Sequence, residues 1–296
     1  MKWIFTTLFM ALSLGASATT VYQQSYLPDG YKVCLIGDTG TASRSQIMVA
    51  QALESEGCHQ VRVLGDVIYS SGLKNAKDKK FFSHFYNPYK GLLEGQNIPF
   101  FLVMGNHDYQ KNPRAWIEIA SNYSNIIFPS LYYFESYGDV CFLSLDSNTD
   151  YSEQREFVDQ VVLKDAGTCK LSIALAHHPL YSVGSHGDAS WSLKGFLQGS
   201  VEGRVDSYFS GHDHNLSYEG QNKGTHFFVS GAGAKLRPLD RSPRRGGYAI
   251  SDYGYIAMTI RRDNGRVSAS YDFRVVKSAT QVESTYSGQF AGQGLR

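Results

Sequence analysis

Five short polar motifs, each directly after an apolar run of strand length, carry the residues that could do chemistry. They are GDTG at 37–40, GDVIY at 65–69, GNHD at 105–108, AHHP at 176–179 and GHDH at 211–214. Their polar side chains are Asp38, Asp66, Asn106, His107, Asp108, His177, His178, His212, Asp213 and His214. Carboxylate, amide and imidazole donors together suit a pair of metal ions, which a bridging carboxylate can hold about 4 Å apart. One such motif is often only a turn, whereas five in one chain predict a dimetal site.

Glycines precede many of these candidate ligands and would allow the chain to turn tightly after each strand. Gly37, Gly65, Gly105 and Gly211 each stand immediately before a candidate ligand. Glycine adopts backbone conformations that other residues avoid, so it suits such turns. The motifs are therefore predicted to be loops that leave the ends of strands.

The apolar runs that lead into the motifs predict strands buried on both faces. They cover residues 31–36, 61–64, 99–104, 140–145, 171–176 and 205–209. Helical spacing of apolar residues predicts a helix over residues 43–57, capped by Ser43 or Ser45, and a second over 152–164. Strands that alternate with helices indicate an α/β protein, and ligands of such sheets bind at the carboxyl ends of the strands.

The last third of the chain has a different pattern, with strands joined by short turns. Residues 225–238 and 253–275 are rich in alternating apolar residues, and Asp263-Asn264-Gly265 predicts a hairpin. A mixed sheet or a two-sheet sandwich follows from this pattern. We expect one domain over residues 19–280 and, because residues 281–296 are rich in Gly, Ser and Gln, a loose C-terminal tail.

In their order along the chain, the five motifs resemble those of the purple acid phosphatases, a group of calcineurin-like metallophosphoesterases. The resemblance is greatest to the small mammalian-type tartrate-resistant enzymes. It runs from about residue 31 to residue 273 and includes the segments YSVGSHG and SGAGAK. It implies a four-layer α/β/β/α sandwich with two mixed sheets.

The resemblance also implies a role for each site residue. Asp38, Tyr69 and His214 would hold Fe(III), Asn106, His177 and His212 would hold a divalent ion (Fe, Zn or Mn), and Asp66 would bridge the two metals. His107 and His186 would lie beside the substrate, outside the ligand set. His178 would be a pocket wall, because the matching position in the family is not a ligand.

Tyr69 is the residue that indicates which subfamily of the metallophosphoesterases the chain resembles. Most metallophosphoesterases begin with an Asp-x-His motif whose His binds metal, but the corresponding position here is Gly40. The phenolate of Tyr69 would replace the missing imidazole. A phenolate is a hard anionic donor that suits Fe(III). In the family, charge transfer from the phenolate to iron gives the enzymes their visible colour.

The activity implied is hydrolysis of phosphate monoesters, in which a metal-bound hydroxide attacks phosphorus and His107, with His186, protonates the leaving group. The substrates would be small phosphorylated compounds, with phosphoproteins and nucleotides left open. A phosphodiesterase or nucleotide hydrolase on the same dimetal core is the main alternative. Two others are an exported, non-catalytic metal-binding or adhesion protein on the same scaffold and a redox role for the iron.

Composition and the N-terminus bear on location and partners. The net charge of +1 gives no support to nucleic-acid binding. Residues 1–18 have the charged, apolar and small-residue regions of a signal peptide, so we expect export to a periplasm or the medium and no membrane anchor. We also expect a monomer. Export permits disulfides, but Cys34, Cys58, Cys141 and Cys169 could equally be buried free thiols. The basic segment 235–247 could attract anionic substrates or be a solvated loop.

Overall fold

The computed structural model describes residues 12–14, 18–23, 25–149, 151–244 and 246–296. Most of the predicted signal peptide therefore lies outside the described residues, as do Asp150 and Arg245. The signal peptide stays a prediction.

The two predicted helices are present, and the first has clear signals at both ends. Helix α1, Arg44–Glu56, begins at Ser43, whose side chain accepts a hydrogen bond from the Gln46 N–H, and ends at Gly57, whose φ is 74°. The other helices are α2 Asn106–Tyr109, α3 Ala115–Asn122, α4 Tyr151–Asp165 and α5 Trp191–Ser200, with π-helical segments at Phe81–Tyr86 and Gly91–Gly95. Among the described residues, no helix has both the length and the apolar character that crossing a membrane requires.

Sixteen strands in the described part of the chain form two mixed sheets. They are β1 Leu12–Leu14, β2 Ala18–Gln23, β3 Lys32–Ile36, β4 Gln60–Leu64, β5 Phe100–Val103, β6 Ile126–Ile127, β7 Tyr132–Tyr137, β8 Val140–Ser144, β9 Leu171–Leu175, β10 Ser207–Ser210, β11 Leu216–Asn222, β12 Thr225–Ser230, β13 Tyr248–Ile250, β14 Gly254–Asp263, β15 Arg266–Ser278 and β16 Gln281–Ala291. One sheet has the order β1-β2-β7-β8-β9-β10-β12-β11-β13, and the other has the order β16-β15-β14-β3-β4-β5-β6. Strands β3 to β6 are parallel to one another, as are β8, β9, β10 and β12, whereas β14 to β16 are antiparallel.

Three apolar cores lie between four layers of structure. In β3, Val33 and Leu35 pack in the core between the two sheets, while Cys34 and Ile36 point the other way, toward α1 and α3. In β8, Phe142 joins the same central core. The outer face of that sheet packs against α4 and α5. Because strand side chains alternate between faces, strands that are apolar at every position must be covered on both sides, as here. The predicted α/β/β/α architecture with two mixed sheets is confirmed.

The predicted hairpin is correct, but the predicted loose tail is wrong. Asp263 pairs with Arg266 across a two-residue turn formed by Asn264 and Gly265. Residues 281–291 form β16, which pairs with β15 along almost its whole length. A composition rich in Gly, Ser and Gln does not prevent a strand, because a strand needs only main-chain hydrogen bonds and one apolar face. Tyr286 and Phe290 supply that face.

The four cysteines form two disulfides, Cys34–Cys58 and Cys141–Cys169. The first joins β3 to the segment after α1, and the second joins β8 to the segment before β9. Each bridge therefore ties a strand to the far end of the helix that follows it. This resolves the choice that the sequence left open between bridges and free thiols.

The packing of β16 makes a testable prediction about the C-terminal residues. Replacing the buried Phe290 by alanine should lower the free energy of unfolding by about 3 kcal/mol, because it leaves a cavity against the central core. The neighbouring exposed Gln289→Ala should change it by less than about 0.5 kcal/mol. Urea unfolding followed by circular dichroism measures both. Equal, small effects would show that β16 adds little to the stability of the domain.

Candidate metal centre

The motif residues converge where the parallel strands of both sheets end. Asp38 follows β3, Asp66 follows β4 and Asn106 follows β5, all in the seven-stranded sheet. His177 follows β9 and His212 follows β10 in the nine-stranded sheet. The carboxyl ends of parallel strands are the usual ligand sites of such sheets. Each sheet thus brings a different set of donors: oxygen from one and imidazole nitrogen from the other.

Three of these residues have backbone conformations that are unusual for residues other than glycine. The φ angles of Asp38, Asp66 and His212 are 58°, 49° and 69°. Such left-handed conformations cost on the order of 1–3 kcal/mol each and persist where the surroundings fix them, often at functional sites. At these three residues the backbone turns sharply, and the side chains point into the space between the sheets.

Asp38, Tyr69 and His214 form a first triangle of donor atoms. The hydroxyl oxygen of Tyr69 lies 2.8 Å from Asp38 Oδ1 and 3.1 Å from His214 Nε2, and the latter two atoms are 3.4 Å apart. Adjacent ligands of an octahedral ion with bonds near 2.1 Å are about 3 Å apart. The spacing of this triangle therefore fits three ligands of one ion.

Asn106, His177 and His212 form a second triangle. Asn106 Oδ1 lies 3.1 Å from His177 Nε2 and 3.1 Å from His212 Nδ1, and the two nitrogens are 3.2 Å apart. These spacings meet the same criterion. One amide oxygen and two imidazole nitrogens are donors that zinc, iron and manganese accept.

Asp66 lies between the two triangles and touches both. Its Oδ1 is 3.5 Å from His177 Nε2 in the second triangle, and the charge of its carboxylate helps to raise the pKa of Tyr69 in the first. A carboxylate in this position can donate one oxygen to each of two ions. The seven residues predicted as ligands are therefore all brought together, in the grouping that the resemblance implied.

Backbone contacts between the sheets orient the donors. His177 Nδ1 lies 2.9 Å from the carbonyl oxygen of Leu64, which fixes the ring so that Nε2 faces the second triangle. The His212 N–H donates to Asp38 Oδ2 at 2.8 Å, and the His107 N–H donates to Asp66 Oδ1 at 2.9 Å. The first two contacts aim donors of one sheet with groups of the other, and the third joins two loops of the seven-stranded sheet.

The electrostatics of the cluster favour bound cations. Burial, together with the carboxylates of Asp38 and Asp66, raises the pKa of Tyr69 far above its usual value. Burial and the neighbouring His177 and His178 lower the pKa of His212, so its ring is neutral and able to bind a metal. A phenolate at Tyr69 would add a third negative charge to this buried group. It would need a cation in direct contact, and a bound metal supplies that charge.

Gly40 explains how Tyr69 reaches the site. A Cβ atom at position 40 would overlap the carbonyl oxygen of Val67. The Tyr69 N–H donates to the Gly40 carbonyl at 2.7 Å, so the two loops are in direct contact. The absence of a side chain at position 40 lets the loop after β4 pack against it and extend the phenol toward Asp38.

Two buried acids position the functional side chains, and the sequence named them without assigning a role. Asp108 accepts hydrogen bonds from the N–H groups of Val67, Ile68 and Gly105, at 3.0, 3.1 and 2.9 Å, and so joins the GDVIY and GNHD loops. Burial and the charge of Asp66 raise its pKa. Asp213 accepts from both the backbone N–H and the Nδ1 of His186, at 2.9 and 3.0 Å. The sequence did hold a signal for these roles: Asp108 and Asp213 are acids inside candidate ligand motifs, yet neither is assigned as a metal ligand.

The histidines predicted to lie beside the substrate flank different parts of the cluster. The ring of His107 packs 4.5 Å from that of Tyr69, and the ring of His186 packs 4.1 Å from that of His212. Their side chains are 29% and 30% exposed, so solutes can reach both. Burial and the proximity of His177 lower the pKa of His178 to about 3, which keeps its ring neutral.

The basic segment 235–247 folds back over the His186 loop. Arg244 contacts Asp188 at 2.9 Å, and Arg241 lies 3.6 Å from the same carboxylate. Both charges are thus engaged within the protein. Lys235, by contrast, places its Nζ 4.0 Å from the centre of the Tyr69 ring. Lys235 is therefore a cation of this segment that lies against the site.

Two mixed sheets with paired donor triangles at their strand ends define a metallophosphoesterase. The model of the calcineurin-like phosphoesterase family matches residues 31–216, and the chain belongs to this family. Pig tartrate-resistant acid phosphatase type 5 is 28% identical over 232 residues, which cover 70% of this chain and 68% of the relative. Purple acid phosphatase 4 of Arabidopsis thaliana is 29% identical over 262 residues, covering 78% and 76%. The resemblance to purple acid phosphatases is therefore confirmed.

Solved structures share the fold at lower identity. A Plasmodium protein described as GAP50, the anchor in the inner membrane complex, has a TM-score of 0.72 at 18% identity and covers 90% of each chain. A dimetal phosphatase from Danio rerio has a TM-score of 0.59 at 12% identity and covers 90% of this chain and 100% of its own. These similarities support the architecture of two mixed sheets.

The contact between Gly40 and the loop after β4 predicts the effect of a single methyl group. Gly40→Ala should displace that loop, lower the free energy of unfolding by about 1–3 kcal/mol and reduce the bound metal below two ions per chain. Gly95→Ala is the matched control, because nothing lies within 4 Å of its added Cβ. Metal analysis and urea unfolding measure the two effects. A Gly40→Ala protein that keeps both metals would contradict this account of Tyr69.

Proposed function

We propose that the protein is an exported dimetal acid phosphatase that hydrolyses phosphate monoesters. The observation that carries this proposal is the pair of donor triangles that share Asp66, with Tyr69 as a member of the first. Similarity to tartrate-resistant and purple acid phosphatases supports the choice of reaction.

The residues present fit an Fe(III) ion at one site and a divalent ion at the other. Asp38, Tyr69 and His214 would hold Fe(III), because two anionic oxygens and an imidazole suit a hard trivalent ion. Asn106, His177 and His212 would hold Fe, Zn or Mn as the divalent ion, and Asp66 would bridge. When bound, the metal pair would supply positive charge to the phosphate oxygens and lower the pKa of the attacking water.

The reachable histidines would handle the proton of the leaving group. Hydrolysis leaves an alkoxide that needs a proton, and an imidazolium beside the cluster can donate it. His107 is the main candidate, and its backbone is fixed by the hydrogen bond to Asp66. His186 would assist, since Asp213 holds its Nδ1 and leaves Nε2 free to face a substrate. Small phosphorylated compounds, phosphoproteins and nucleotides all remain candidate substrates.

Two features support export. Residues 1–18 have the pattern of a signal peptide, and both disulfides would be stable in an oxidising compartment. We therefore propose that the mature protein is exported to a periplasm or the medium, and we keep the expectation of a monomer with no nucleic-acid partner. The net charge of +1 agrees with the lack of a nucleic-acid role.

Metal analysis, visible absorption and relative rates test the proposal on the purified mature chain. We expect two metals per chain with at least one iron, a broad visible band, and faster hydrolysis of 4-nitrophenyl phosphate than of bis(4-nitrophenyl) phosphate. Tyr69→Phe should remove the visible band, because the phenolate is its source, whereas the exposed Tyr26→Phe should keep it.

The opposite results would point to a different enzyme. A colourless protein with two zinc or manganese ions would contradict the iron site at Tyr69. Faster hydrolysis of the diester would contradict the monoesterase assignment and favour the phosphodiesterase alternative.

The role of His107 predicts a dependence on the leaving group. His107→Ala should slow hydrolysis of an alkyl phosphate by about 100-fold or more, since general acid catalysis typically contributes that much. It should slow 4-nitrophenyl phosphate far less, because nitrophenolate leaves without a proton. His84→Ala, on the π-helical segment Phe81–Tyr86, is the control. An equal loss of kcat on both substrates would refute the acid role.

A further inference from the structure

A lysine-lined pocket lies next to the metal centre and has no role in the function proposed above. Its volume is about 410 Å³, and its lining includes Ser71, Gly72, Lys74, Lys77, Lys80 and Lys111. Ligand pockets in proteins typically measure about 300–1,000 Å³. The pocket is therefore large enough for a small charged molecule.

The lining of this pocket has four lysines and one acid, so its positive charge is only partly offset. Lys74, Lys77 and Lys111 are exposed, and in the described part of the chain none of these three forms an ion pair. Lys80 donates to the Ser71 carbonyl at 2.9 Å, which holds its ammonium at the pocket wall. The one acid of the lining, Asp78, accepts hydrogen bonds from the backbone N–H groups of Lys74 and Lys80. The pocket thus has a net positive charge and fits an anion.

The pocket is built from the same two loops as the metal centre. Ser71 follows Tyr69 by two residues, so at most about 7 Å separates their Cα atoms. The Gly72 N–H donates to the His107 carbonyl at 2.8 Å. Lys111 follows His107 by four residues, and its N–H donates to the Asp108 carbonyl at 3.3 Å. The lysines of the pocket are therefore carried by the segments that directly follow Tyr69 and His107.

We propose that this lysine pocket is a subsite for the second and third phosphates of a substrate that carries a chain of phosphates. The chemistry recognised is that of inorganic tripolyphosphate or of the triphosphate tail of a nucleotide. The inference rests on the proposed function, because the terminal phosphate must lie at the metal centre. Lysine ammonium groups on flexible stems are point charges that bind phosphate oxygens without requiring one fixed geometry. Several of them suit a flexible chain of phosphates better than a single rigid group.

The reaction on such a substrate is the same hydrolysis with a different leaving group. Water adds its oxygen to the terminal phosphorus, and the bond from that phosphorus to the bridging oxygen breaks. The bridging oxygen stays with the departing diphosphate, and the two protons of water are shared between the products. Charge on the departing diphosphate increases in this step, and the lysines would stabilise it.

Charge-neutral variants of the pocket test the proposal. Lys74→Gln, Lys77→Gln and Lys111→Gln should each lower kcat/KM for tripolyphosphate and ATP by about fivefold, and the triple variant by about 50-fold or more at low salt. The rate on 4-nitrophenyl phosphate should stay within about twofold of wild type. Lys79→Gln is the matched control, because Lys79 is an exposed lysine of the same segment that does not line the pocket.

The pattern of losses decides the outcome. A loss of kcat/KM on both tripolyphosphate and ATP supports recognition of the phosphate chain. A loss on only one of them also supports the subsite and identifies which of the two substrates it recognises. Unchanged kcat/KM on both substrates would overturn the subsite. So would an equal loss on 4-nitrophenyl phosphate, or an equal loss in the control variant Lys79→Gln. In each case the phosphatase assignment would stand.

A direct binding measurement separates this inference from the proposed function. If the wild type hydrolyses no phosphate ester, the proposed function fails, and calorimetric titration with tripolyphosphate then examines the pocket alone. Binding to the wild type that is lost in the triple variant supports the subsite. The absence of binding to the wild type overturns it.

Discussion

The mutual repulsion of buried acids is the constraint on which the rest of this site depends. Asp38 and Asp66 are fully or almost fully buried, and Tyr69 lies against both. Carboxylates without water are costly unless cations or hydrogen bonds offset their charge. Backbone N–H groups of His212 and His107 supply part of that compensation, and metal ions would supply the remainder. The donor arrangement is thus the sign of a cation site, independent of any sequence similarity.

The two sheets have complementary tasks in meeting that constraint. The seven-stranded sheet supplies the oxygen donors Asp38, Asp66, Tyr69 and Asn106, and the nine-stranded sheet supplies three imidazoles. The sheets are held in register at the site by hydrogen bonds from Gly37 N–H to Ser230 and from Ser230 Oγ to Leu35. A shift of one sheet against the other would separate the donors of both triangles. The central apolar core between the sheets therefore contributes to the geometry of the site as well as to stability.

Much of this arrangement could be predicted from the chain, and the failures have clear physical causes. The motifs after strands gave the donors, because each ligand is a local feature of a turn. The roles of Asp108 and Asp213 depend on which loops meet in space, so local sequence did not show them. The loose tail was a wrong prediction because β16 depends on the exposed edge of β15 for its hydrogen bonds, which composition does not reveal. The disulfide pairing likewise required the distances between strands and the segments that follow their helices.

The loop after β4 joins nearly all of these functions in eight residues. Asp66 lies between the two triangles, Tyr69 completes the first, and the Ser70 carbonyl contacts His107. Ser71 and Gly72 then begin the lysine pocket. Asp108 anchors the start of this loop through the Val67 and Ile68 N–H groups, so the loop cannot move without disturbing the GNHD motif. Because one short segment carries the predicted ligands Asp66 and Tyr69, contacts His107 and begins the lysine pocket, under the proposed function its sequence would influence both the reaction and the choice of substrate. Under the same proposal, changes to the lysines that follow the loop would alter the choice of substrate and leave the donor triangles intact.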